Sequence, residues 1–137
     1  MRRVTADTNV LVSALVFGGK PLTILEMAQV GEIELAISEP IINETLRIIR
    51  DKFYRSREQI TEMESHLRAI TRCVQPTERL EVVPDDADDN KIVECAVVAG
   101  SDVIVTGDDH LLRLGSFQGI TIRRPSDFLA GFQARGR

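Results

Sequence analysis

Asp7, Glu44, Asp89 and Asp108 are the side chains whose type and placement point to chemistry. Each lies just after a stretch that reads as a strand, or in the first turns of the helix that follows one. Carboxylates gathered in one place repel each other, and a hard divalent cation, Mg²⁺ or Mn²⁺, relieves that repulsion through oxygen ligands. Such an ion keeps bound water as a nucleophile, neutralises a phosphodiester and stabilises charge on the leaving oxygen. Four acids without a histidine or cysteine placed for catalysis form the donor set of a metal-dependent phosphodiester hydrolase.

Other chemistries find little support. The chain has no phosphate-binding loop, no Gly-x-Gly-x-x-Gly and no His-Glu-x-x-His. His66 falls on the flank of an amphipathic helix and reads as solvated. His110, beside Asp109, lies near the acids and is either exposed or within reach of a substrate. Cys73 and Cys95 both fall in apolar, helix-like stretches, read as reduced core thiols, and have no general base beside them in sequence.

The elements that must position the acids follow from periodicity and punctuation. A short strand, Arg3 to Ala6, ends at Asp7, and the run Val10 to Val16 reads as a buried helix. Gly18 and Gly19 break it, Pro21 opens a second helix to about Val30, and Ile33 to Ile37 form a second strand. Ser38 reads as the N-cap of a helix reaching Phe53, with Ile41, Ile42, Thr45, Leu46, Ile48 and Ile49 on its apolar face. Ser56 to Gln59 forms a capping box for the next helix, whose stripe is Ile60, Met63, Leu67, Ile70 and Val74. These two helices pair as a hairpin. Leu80 to Val83 reads as a short strand or extended loop.

Asp86 to Asp89 opens a helix closed by Gly100. Asp102 to Thr106 is the clearest buried strand, Gly107-Asp108-Asp109 leads into a short helix, Ile120 to Ile122 is a last strand, and Ser126 caps a final helix. Short apolar strands alternating with helices predict an α/β fold: a three-layer sandwich with a short, mostly parallel sheet and an added helical hairpin. In such a sheet, ligands bind outside the carboxyl ends of the strands, and that rim is where all four acids fall.

Each aspartate also has a purely structural reading as a helix cap. Glu44 has none. At 100° per residue it lies near the azimuth of Ile41 and Ile48, beside the apolar stripe, and a carboxylate there is costly unless compensated. No lysine or arginine is obviously placed near it.

Composition bounds the rest. The 137 residues, 43% hydrophobic and 28% charged, fit one domain with a real core. With 17 Lys+Arg against 21 Asp+Glu the chain is acidic overall, so a nucleic acid would be held by a local basic patch or through metal. Arg2 and Arg3 followed by the apolar run Val10 to Phe17 imitate a secretory signal, but Asp7 and Asn9 interrupt it. The run is also far short of the ~20 residues of a membrane helix, which predicts a cytoplasmic protein with no membrane partner.

Asp7-Thr8-Asn9-Val10-Leu11-Val12, Glu44 within a helix, Asp86-Ala87-Asp88-Asp89-Asn90-Lys91 and Val105-Thr106-Gly107-Asp108 together resemble the PIN-domain nucleases, in order, spacing and total length. The Asp-Asp-Asn-Lys run and Thr-Gly-Asp are most similar to the small bacterial or archaeal branch that holds VapC-like toxins of toxin–antitoxin pairs. The resemblance implies one PIN-like domain over residues 1–137, a quartet Asp7, Glu44, Asp89 and Asp108 binding one or two Mg²⁺ or Mn²⁺ ions, and hydrolysis of single-stranded RNA to 5′-phosphate and 3′-hydroxyl ends. Asn9 and Thr106 match supporting polar positions, and Asp86 matches a further ligand. The branch often carries aspartate two positions after Asp108, where this chain has His110, a departure that bears on a second metal. The resemblance also implies a homodimer and a small antitoxin partner. Arg47, Arg50, Lys52, Arg55 and Arg57, with Asp51 against them, read as a solvated basic face or as a clamp for RNA or an acidic antitoxin segment.

Two other readings stand beside the ribonuclease. A non-catalytic PIN-like module would bind RNA or a partner without cutting, but gains nothing from concentrated negative charge. Another Mg²⁺-dependent phosphoryl-transfer hydrolase of the dehalogenase type would want Asp-x-Asp-x-Thr after the first strand, and Asp7-Thr8-Asn9 lacks the second acid.

Overall fold

Val4, Thr5 and Ala6 are all fully buried although successive strand residues face opposite ways, so their strand must be covered on both faces. The computed structural model describes residues 1–84 and 86–136 and shows how. In chain order the elements are β1 (Arg2–Ala6), α1 (Thr8–Val16), α2 (Gly19–Gln29), β2 (Ile33–Ser38), α3 (Glu39–Phe53), α4 (Arg57–Ile70), β3 (Arg72–Val74), α5 (Ala87–Ala99), β4 (Val103–Val105), α6 (Asp109–Leu114), β5 (Ser116–Phe117), β6 (Ile120–Arg123) and α7 (Pro125–Gly136).

The strands form a six-stranded sheet in the order β3-β2-β1-β4-β6-β5. All neighbours are parallel except β5 and β6. Val4 sits opposite Leu35 on one side and Val103 on the other. Helix α5 lies across β1, β2, β3 and β4, whereas α2 and α3 pack on β2, and α1 packs against α2 and α3. Parallel crossovers are right-handed. Reversal of the strand order at β1 therefore carries α5 to the face opposite α2 and α3, which makes the three layers the alternation predicts. The core joins Leu11, Ile24 and Leu25 from the first two helices to Leu35, Ile37, Ile104 and Phe128.

The helix hairpin forms as expected, with α3 against α4 and both halves of the Ser56–Gln59 capping box in place. Several local expectations are corrected. Val74 and Cys73 belong to β3 rather than to the preceding helix, because α4 stops at Ile70 and Thr71 is extended. Cys73 is exposed, its thiol donating to Glu39 Oε2 at 2.9 Å, while Cys95 is the buried core thiol. Of the two alternatives for Leu80 to Val83, strand or loop, the structure takes the loop, pinned by Asn90, which bonds the Val83 N–H and C=O at 2.8 and 3.0 Å. The final helix starts at Pro125, so Ser126 lies inside it. Ser38 occupies the N-cap position of α3 but its hydroxyl caps nothing and is buried without a partner. The two-residue strand β5 has no counterpart in the sequence reading.

The apolar run after Asp7 packs as α1 in the core, with Val10, Leu11, Val12 and Ala14 buried. Among the described residues no single helix is long and apolar enough to cross a membrane; α1 and α2 pass by composition together but meet at 96°.

Candidate metal centre

β1 and β4 run side by side and their carboxyl ends meet where the strand order reverses, the place where ligands bind in open parallel sheets. Ala6 pairs with Val105, and the Asp7 N–H extends the ladder by donating to the Val105 C=O at 3.0 Å. Asp7 therefore leaves β1 against β4. It is 4% exposed. Its Oδ1 accepts the Asn9 N–H at 2.6 Å, capping α1, and its Oδ2 accepts the Thr106 hydroxyl at 2.5 Å. The same Thr106 oxygen accepts the Asp108 N–H at 2.9 Å, which fixes the hydroxyl proton on Asp7. One threonine thus ties two acids from opposite sides of the reversal. Burial pushes the Asp7 carboxyl up from its ordinary pKa and the Asp108 charge adds to the rise, against the lowering by Thr106 and Asn9. Asn9 serves through its backbone; the residue itself is exposed.

Asp86, Asp89 and His110 converge beside this pair. Asp86 caps α5, its Oδ1 accepting the Asp89 N–H at 3.1 Å. Asp108 caps α6, its Oδ1 accepting the N–H groups of His110 and Leu111 at 2.8 and 3.2 Å. His110 Nδ1 stands 3.3 Å from Asp86 Oδ2 and 3.9 Å from Asp89 Oδ2. Asp89 is 7% exposed, and its Oδ2 is inaccessible with no hydrogen-bond partner. Burial pushes the Asp89 carboxyl up to about 8, helped by Asp108 and Asp86, whose carboxylates favour a protonated neighbour. Asp86 moves the other way, held down first by the Asp89 backbone N–H.

Capping is thus a real role of Asp7, Asp86 and Asp108, but each cap uses Oδ1 alone. Ligation by the other oxygen remains compatible with it.

Glu44, in the second turn of α3, is half-buried as its azimuth predicts. Its carboxyl is pushed up by burial, then by Asp88 and Asp7, and lowered by Lys91 and Arg47. The expectation that no cation stands near is therefore corrected: Lys91 comes from α5, which packs against α3, and Arg47 follows one turn later. Asp88 is exposed and pairs with Lys91 at 3.6 Å.

A family profile described as PIN domain matches residues 3–110. The chain belongs to the PIN domain family. The matched span of this PIN domain contains all four acids, Asp86 and His110. No curated protein matches the chain. Among solved structures, its fold is that of a chain in the crystal structure of VapBC2 from Rickettsia felis bound to a DNA fragment from the VapBC2 promoter. The identity there is 14%, the TM-score is 0.65, and the match covers 89% of this chain and 98% of the other.

The donor set of this PIN domain fits a divalent cation. Carboxylate oxygens crowd one rim, three of the acids are held above their ordinary pKa, and one buried carboxylate oxygen has no proton donor. Of the residues expected from sequence, Asp7 and Asp108 are brought together through Thr106, and Asp89 joins Asp86. Glu44 stands further out, sensing Asp7 only through its charge. His110 is the donor that sequence reasoning left outside the site. Its ring nitrogen reaches Asp86 and Asp89 only through the placement of α6 beside the start of α5, so the local sequence carries no signal for it.

The expected basic residues lie on α3, α4 and the link between them. Arg47, Arg50, Lys52 and Arg57 are exposed, Arg50 pairs with Asp51 at 2.8 Å, and Arg55 donates to the Phe53 C=O. A cavity of about 1050 Å³ is lined by Asp86 and Lys91 together with Arg79 and Glu39. Asp7, Asp89 and Asp108 do not line it, so it is a neighbour of the rim rather than the site.

Proposed function

We propose that this PIN domain is a metal-dependent endoribonuclease that hydrolyses phosphodiester bonds in single-stranded RNA, and that it is the toxin of a type II toxin–antitoxin pair. One observation carries the reading: acids from β1, α5 and β4 meet at the reversal of a parallel sheet, where Asp89 offers a buried oxygen that no protein group satisfies. Asp7, Asp89 and Asp108 would hold Mg²⁺ or Mn²⁺, with Glu44 and Asp86 as further ligands. When bound, the ion supplies charge neutralisation for the phosphodiester and activation of water.

The chain's own residues have separate tasks. Thr106 keeps Asp7 and Asp108 in fixed relation and takes up one Asp7 oxygen, so Asp7 faces the rim in one orientation. Asp89 brings to the rim a buried carboxylate oxygen that no protein group satisfies, the one a cation would take up. Glu44 sits where α3 meets α5, beside Lys91, and closes the acidic rim on that side. The exposed arginines of the α3–α4 hairpin offer phosphate contacts along an RNA strand, or contacts to an acidic antitoxin segment. VapBC2, whose structure shares this fold, is recorded with promoter DNA, in line with a toxin held by a DNA-binding partner. A homodimer, a cytoplasmic location and a single domain over residues 1–137 complete the proposal.

The test is cleavage of a mixed single-stranded RNA pool in Mg²⁺, in Mn²⁺ and in EDTA. The wild type should cut in at least one metal and stop in EDTA, and Asp7→Asn should bind RNA without cutting it. If the wild type binds RNA and never cuts it in either metal, the protein is a binding module.

A further inference from the structure

The rim holds a nitrogen donor among its oxygens. His110 Nδ1, Asp86 Oδ2 and Asp89 Oδ2 come from α6 and the start of α5, and one ligand atom from each residue lies within 4.8 Å of the others. A histidine–aspartate ion pair accounts for part of this geometry. At 3.3 Å, His110 can donate to Asp86. It does not account for Asp89, whose Oδ2 is sealed from solvent, has no hydrogen-bond partner and stands 3.9 Å from the same nitrogen, too far for a hydrogen bond. Two ligand atoms bound to one ion at about 2.1 Å lie about 3.0 Å apart at a right angle and at most about 4.2 Å apart. Both separations from Nδ1 fall inside that range. The ring is largely exposed, at 57%, and can close on an ion without disturbing the core.

We propose that Asp86, Asp89 and His110 form a mixed oxygen–nitrogen site for a borderline first-row divalent ion of the Zn²⁺ or Co²⁺ kind, in preference to Mg²⁺. The preference follows from the donors. Imidazole nitrogen suits Zn²⁺ and its neighbours, whereas Mg²⁺ asks for oxygen and water. His110 ligates through unprotonated Nδ1 and keeps its proton on Nε2, where solvent can bond it. The inference rests on the reading of this rim as a metal centre, and does not depend on what the protein cuts.

The experiment titrates the full chain with Zn²⁺ and separately with Mg²⁺, following heat and the ¹⁵N resonances of the histidine rings. Zn²⁺ should shift the His110 Nδ1 resonance and leave His66 in place. His110→Ala should weaken Zn²⁺ at least tenfold and Mg²⁺ less than twofold, and His110→Asp should strengthen Mg²⁺ while still losing Zn²⁺. An unmoved His110 resonance, or equal Zn²⁺ affinity in wild type and His110→Ala, overturns the site. RNA cleavage separates the two proposals. A protein that binds Zn²⁺ through His110 and cuts no RNA keeps this site and loses the ribonuclease reading. One that cuts RNA with His110 unmoved by Zn²⁺ keeps the ribonuclease and loses this site.

Discussion

Replacing Asp89 by asparagine tests the electrostatics of the rim with no substrate present. The Asp89 carboxyl is pushed up to about 8 in the folded chain, against about 3.9 for an unperturbed aspartate. The folded state therefore keeps a proton that the unfolded state gives up between these values. That contribution is complete below about pH 4, is lost as pH rises through 8, and changes no further above it. One retained proton gives a slope of at most about 1.4 kcal/mol per pH unit. From pH 5 to 7 the ceiling is thus about 2.7 kcal/mol. Electrostatic coupling of Asp89 to Asp86 and Asp108, and water at the half-open rim, reduce the expected loss to about 1–2 kcal/mol. Asp89→Asn has nothing to titrate at this position, so its stability should fall less steeply over the same range. Asp7, also raised by burial, is present in both proteins and cancels in the difference. The assay is urea unfolding in EDTA at pH 5, 6 and 7, followed by circular dichroism. Mn²⁺ at 100 times its Kd should add roughly 2.7 kcal/mol to the wild type at pH 7 and much less to the variant. Parallel pH curves for the two proteins would refute the buried-carboxylate argument.

Glu44→Gln should lose most RNA cleavage while its metal-free melting temperature stays level or rises, since the neutral side chain removes repulsion from Asp88 and Asp7; cleavage at the wild-type rate would make Glu44 a bystander. Glu39→Ala is the control on the same helix. Glu39 binds Arg68 of α4 through both oxygens at 2.8 and 2.9 Å, which holds its carboxyl down at about 2, but the pair is half-exposed and should contribute no more than about 1 kcal/mol. Thermal melts should show that small loss, with RNA cleavage unchanged.

How much of this could be read beforehand depended on the range of the forces involved. Asp7, Asp86 and Asp108 were legible because a polar residue between an apolar run and a helix has a local reason to be there. The sheet rule then assigned Asp7 and Asp108 to one rim with Asp89 and Glu44, and Asp86 entered as a ligand only through the family resemblance. Glu44 was legible from helical geometry alone. Of its two cations, Arg47 lies one turn along the same helix and was open to the same geometry, whereas Lys91 reaches it only through the contact of α5 with α3, which leaves no trace in the neighbouring sequence. β3 was missed since Val74 continues the apolar period of α4 by one more step, and only pairing with Ala36, Ile37 and Ser38 makes it a strand. β5 is too short to carry any period. His110 looked unremarkable beside Asp109, because its relation to Asp86 and Asp89 exists only once α5 and α6 are docked.

The Thr106 hydroxyl bridges residues 99 positions apart in the chain, and this has a consequence for how the protein is made. A nascent chain that ends before Val103 can already carry Asp7, Glu44 and Asp89, yet β1 then has an open edge where β4 will lie and no crevice in which acids can meet. At synthesis rates of about 5–20 residues per second, about 5–20 seconds separate the making of Asp7 from that of Asp108. Closing so long a loop makes assembly of the rim one of the slower steps of folding. A partner that engages β1 or α1 before β4 is in place meets the chain before its acids can converge on the rim.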